Sequence, residues 1–230
     1  MKRIHIALLG LLIGMLPDAH GTTVGFGTLG TVRTFNDESG ALLGTANSLV
    51  LVGNFLSETF TFNPLVSIAT NVQAITTIGG WKQFGLDADT GATDPGVVLP
   101  GITITSAGKL TGTVADTNAG LRQAGYFNGK NLYLWVFNAA SVSSATQMGI
   151  FRSPDAAQAW IFATAGTVGD SITYSVSTSG APNVNPIGLA GTTSGTQLRL
   201  VSAVPEPSVL ALGGMAALGM LASRKRGMKK

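Results

Sequence analysis

Between residues 22 and 203 the apolar positions fall in short runs separated by Gly, Asn, Asp and Pro, a spacing that predicts strands and turns over helices. Ser48 to Phe55 and Glu58 to Phe62 read as neighbouring strands. Ile102 to Thr105 and Leu110 to Val114 alternate about Ser106-Ala-Gly-Lys109 and predict a hairpin. Asn131 to Asn138 is the clearest strand: Leu132, Leu134 and Val136 point one way and Tyr133, Trp135 and Phe137 the other, so both faces are expected to be covered. Further strands are expected at 145 to 151, 160 to 164, 171 to 176 and 197 to 201. Asn63 to Ile78 stays open between a helix after Pro64 and a strand, because its Val, Ile and Thr content favours strand. Eight or more short strands predict an all-β domain, of β-sandwich or jelly-roll type.

The two ends follow other rules. Met1-Lys2-Arg3 is a basic start, Ile6 to Leu16 is an apolar run of eleven residues, and Ala19 and Gly21 place small residues for cleavage before Thr22. That combination predicts a signal peptide over residues 1–21 and export, since eleven residues are too few to span a bilayer. At the other end Pro205-Glu206-Pro207 precedes the apolar run Val209 to Ala222, and Arg224-Lys225-Arg226 closes it. The prolines keep the tripeptide extended. The run is apolar on all faces and holds three glycines, which suits lipid better than a protein core. Fourteen helical residues would extend about 21 Å, short for a hydrocarbon core of about 30 Å unless the flanks snorkel. A transmembrane helix is expected at about 208–223, with the basic end, 224–230, as a cytoplasmic stop.

This order of Pro-Glu-Pro, short apolar helix and basic end resembles the tail of the PEP-CTERM family of exported proteins; Gly227 and Met228 interrupt the basic end before Lys229 and Lys230. The resemblance covers residues 204–230 and implies that an exosortase recognises Pro205, Glu206 and Pro207 and processes the protein on its way to the surface of a Gram-negative cell. It also implies signal peptidase and exosortase as partners, the membrane as an anchor before processing, and a setting of exopolysaccharide or biofilm. The stretch Phe127 to Ala163 loosely resembles a segment frequent in the same family, without implying an activity.

Composition sharpens the picture of the middle. The net charge of +3 and pI of 9.4 come from the ends; residues 22–203 hold seven basic and nine acidic residues, a net charge of −2, so no nucleic-acid partner is expected. Cysteine is absent and both histidines, His5 and His20, lie within residues 1–21. The mature chain therefore lacks the thiol nucleophile and the usual base of a serine triad, and a non-enzymatic role is expected.

Five patterns are candidates for chemistry or binding. Gly25-Phe-Gly-Thr-Leu-Gly30 spells a dinucleotide fingerprint but has no room for the strand that must precede it, so a glycine-rich first strand is expected. Ser106 to Lys109 spells a serine-lysine pair, yet Gly108 and the flanking strands favour a turn. Asp87, Asp89 and Asp94 could offer oxygen ligands to Ca²⁺, although Gly91 and Val98 stand where a complete calcium loop needs ligands; a solvated acidic turn is the competing reading, and no other cofactor is expected. Paired carboxylates among Asp37, Glu38 and Glu58 would be needed for a glycosidase. Trp81, Trp135, Trp160 and the tyrosines suit either a core, which is favoured, or a sugar-stacking platform, as in a carbohydrate-binding module. The role expected is structural or adhesive, at the cell surface or in the extracellular matrix.

Overall fold

The computed structural model describes residues 23–27, 33–85, 102–115, 127, 129–153, 160–162, 171–176, 185–186 and 190–203. The expected signal peptide, the tail from residue 204 and Asp87, Asp89 and Asp94 lie outside them. The described residues form strands in three sheets and one α-helix, an all-β fold with a helical cover.

The strands are β1 (Thr23–Gly27), β2 (Thr34–Asn36), β3 (Leu49–Phe55), β4 (Trp81–Gln83), β5 (Ile102–Ile104), β6 (Leu110–Ala115), β7 (Tyr133–Phe137), β8 (Gln147–Arg152), β9 (Ser171–Ser175), β10 (Asn185–Pro186), β11 (Thr192–Ser194), β12 (Gln197–Arg199) and β13 (Val201–Ser202). The largest sheet runs β10-β8-β7-β3-β4, with β13 also on β8; a second runs β5-β6-β1-β9 and a third β11-β12-β2. Adjacent strands in the large sheet are antiparallel. β1 pairs with β9, and β2 with β12, in parallel, so the start of the body is stitched to its end.

β7 is buried along its whole length, and its alternation divides the core in two. Leu134 and Val136 join Val50 and Val52 of β3 and Phe151 of β8 in a cluster that also takes in Val24 and Phe26 of β1 and Ile104 of β5. One face of the large sheet thus shares a core with the second sheet. Tyr133, Trp135 and Phe137 lie on the opposite face with Leu49, Leu51 and Phe55, under α1 (Ile68–Gly79).

α1 resolves the segment left open by its sequence. Ser67 caps its first turn by accepting from the Thr70 backbone N–H at 3.1 Å, and Gly80 closes it in the left-handed region at φ 61°. Ile68, Val72 and Ile75 then fall on one face and cover the sheet. Asn71, also on that buried side, holds the incoming loop: it accepts from Asn63 N at 2.7 Å and donates to Asn63 O at 2.8 Å. That lock places the start of the helix at Ile68, beyond Pro64.

Two strand expectations change. Glu58 to Phe62 is a loop without a partner strand. Phe60 is drawn into the core against Phe55, ring centroids 4.5 Å apart, while Glu58 is tied sideways to other strands, so the backbone cannot follow a sheet edge. Of the strand expected at 160–164 only 160–162 are described, and there Ile161 makes an isolated bridge to Asn131. The hairpin forms as expected: β5 and β6 pair, and Thr105 N donates to Lys109 O at 2.8 Å across a turn whose Gly108 has φ 71°.

Candidate functional site

The three tryptophans are the first to be placed. Trp81, Trp135 and Trp160 are 0%, 0% and 1% exposed, which removes them as a platform for sugar stacking. Trp81 and Trp135 meet edge to face at 5.3 Å, and Phe55 packs against both. Gly53 makes room for that stack, since a Cβ there would lie 2.6 Å from the Trp81 ring. The indole N–H groups of all three find no acceptor among the described residues. The aromatic strand is core.

A polar cluster sits at the rim of this core. The Tyr133 hydroxyl donates to Glu58 Oε1, and Arg152 Nη1 donates to the same oxygen at 2.8 Å. Asn131 Nδ2 donates to the Tyr133 hydroxyl at 3.4 Å. Burial, and after it the hydrogen bond to Glu58, push the Tyr133 phenol up to about 12. The phenol is therefore protonated at neutral pH. Its geometry is that of a clamp, which fastens the loop carrying Glu58 to β7 and β8. These contacts span 75 and 94 residues, a separation that no local motif reveals.

The other candidate carboxylates lie elsewhere. Asp37 accepts from Ser39 Oγ at 2.6 Å and from the Ala41 backbone N–H at 2.8 Å, and the hydroxyl bond, ahead of the backbone bonds, holds its pKa below the ordinary value. Glu38 N donates to Gln147 Oε1 at 2.9 Å, at the start of β8, whereas Glu58 meets Arg152 at its end. Glu38 and Glu58 thus meet opposite ends of β8, one through its backbone and the other through its carboxylate. Among the described residues no group of three acids or histidines could hold a metal ion. Ser106 and Lys109 are exposed on opposite sides of a hairpin turn.

What remains is the place where the body ends. β13 lies antiparallel on β8, with Val201 opposite Met148 and Ser202 opposite Gln147. Ala203 N donates to Thr146 O at 3.3 Å, and Ala203 packs on the helix-side core together with Val142 and Ala145. Asn138 closes the adjoining loop, accepting from Thr146 N at 3.0 Å and Gln147 N at 2.9 Å. The chain is therefore pinned to the sheet up to Ala203, one residue short of the Pro205-Glu206-Pro207 segment.

The described residues thus form a β-rich body whose strands run to Ala203. Residues 203–226 match the family model of the PEP-CTERM protein-sorting motif. The chain carries this motif, which marks it as an exported, cell-surface protein processed by an exosortase. No curated protein and no solved structure matches the chain. Among the described residues no helix is long and apolar enough to cross a membrane; the expected span at 208–223 lies outside them.

Proposed function

We propose that the mature protein is a non-catalytic, structural or adhesive component of the cell surface or extracellular matrix, formed by a layered β body of sandwich type. In this reading signal peptidase cuts after Gly21. The helix at 208–223 holds the chain in the membrane with Arg224, Lys225 and Arg226 on the cytoplasmic side, and an exosortase acts at Pro205, Glu206 and Pro207. The observation that carries it is the match of residues 203–226 to the sorting motif.

The body supports the same reading by its chemistry. Its three tryptophans are spent on packing, the Asp37 and Glu58 carboxylates are tied to a turn and a clamp, and cysteine is absent. Such a body offers hydroxyl-rich, weakly charged surfaces to a hydrated polysaccharide. Exopolysaccharide is accordingly the partner proposed for the mature surface, and nucleic acid is not. Deletion of residues 204–230 tests the sorting step: the shortened protein should be exported without exosortase processing or surface retention, and unchanged surface display would refute it. Turnover of any substrate in a broad polysaccharide panel, lost on replacing one carboxylate, would refute the non-catalytic role.

A further inference from the structure

The residues from Ser57 to Asn63 run between β3 and α1 without belonging to a strand or helix. Both ends of this segment are fixed: Ser57 N donates to Gly79 O at 3.1 Å, and the Asn71 side chain holds the Asn63 backbone. Between the ends Phe60 is buried, at 2% exposed, while Glu58, Thr59 and Thr61 face solvent and Phe62 is half-buried. Phe60 sits in a slot beside Phe55 that the last turn of α1 leaves open, because a Cβ at Gly79 would lie 2.8 Å from both rings. Glu58 is the other hold on the segment, through Tyr133 and Arg152.

We propose that Glu58 to Phe62 is a strap that swings out on its two fixed ends while the sheets stay folded, with Phe60 as its plug and the Glu58 carboxylate as its latch. A segment opens on its own where few buried contacts hold it and no strand ladder runs through it. This one is held by a single fully buried ring, a half-buried one and an ion pair that is partly exposed on both sides. The helix beyond it keeps its own cap at Ser67, and β3 keeps its pairing with β4 and β7, so neither has to move. Opening uncovers Phe55 in the slot and releases the Tyr133 hydroxyl and Arg152 Nη1 together. Closing needs Gly79, since a side chain there would fill the space that the Phe60 ring takes.

The absence of native cysteine lets single thiols report the opening on the full chain. Phe60→Cys puts a thiol at the plug, and Ile150→Cys puts one on β8 in the same core, at a position 0% exposed. With a thiol reagent in excess, Phe60→Cys should label at least about tenfold more slowly than in strong urea, which shows a closed state, and its rate should hardly change in dilute urea. Ile150→Cys should label more slowly still and steepen with urea, because only unfolding of the sheet exposes it. Equal rates with equal urea dependence overturn the strap, since position 60 then opens only with the whole body. Labelling of Phe60→Cys as fast as in strong urea also overturns it, since no closed state then exists. Adding Glu58→Gln to Phe60→Cys keeps an oxygen for Tyr133 but removes the charge, and should raise the labelling rate about three- to fivefold. An unchanged rate overturns the latch.

Discussion

Tyr133 shows what a buried polar group does in this protein. Its phenol keeps its proton up to about 12 in the folded body, whereas the unfolded chain releases it near pH ~10. The folded state binds the proton more tightly, so this contribution is complete below pH ~10 and is lost as the pH rises through the folded value. Urea unfolding at pH ~9 and pH ~11.5 should show that loss, and Tyr133→Phe should reduce it while costing about 0.5 to 1.5 kcal/mol at neutral pH for the missing hydrogen bond. Asp37 behaves oppositely: its lowered pKa gives stability above the ordinary carboxylate value that disappears in acid as the pH falls through the folded value. The Arg152 to Glu58 pair is partly exposed, at 29% and 40%, and contributes at most about 1 kcal/mol. Trp135→Ala should cost about 3 to 5 kcal/mol in unfolding experiments, because the ring is wholly buried. Its effect on any glycan binding should be no greater than that loss of fold explains.

Elements were legible wherever burial repeats locally. The alternation of Leu134 and Val136 against Tyr133, Trp135 and Phe137 announces a strand covered on both faces, and the two clusters show it. Glu58 to Phe62 alternates as well, but a strand also needs a partner edge, and that requirement is invisible in five residues. The helix was ambiguous because its Val, Ile and Thr content opposes its cap; Ser67 and the Asn71 lock decide it. Ser67→Ala should therefore lower stability by about 1 kcal/mol. Gly53→Ala should cost about 1 to 3 kcal/mol, since the added methyl meets Trp81 and the Lys82 carbonyl. Both are read from urea midpoints at constant slope.

The parallel pairings of β1 with β9 and β2 with β12 join residues more than a hundred positions apart, and no pattern in the sequence foretells them. They mean that these two sheets are complete only when strands from the last third of the chain have joined them. The tail, by contrast, was legible because its chemistry is local: a tripeptide, an apolar run and a basic end in fixed order. In the proposed function this local chemistry is what another protein reads, while the described strands are set by folding. Intact mass spectrometry of the protein recovered from the cell surface and medium tests this reading directly. The predicted result is a chain that begins at Thr22 and has lost the residues beyond Pro207, with both truncations present in the surface form. A surface form that retains residues 208–230, or that is unchanged when Pro205, Glu206 and Pro207 are replaced by alanine, would contradict it.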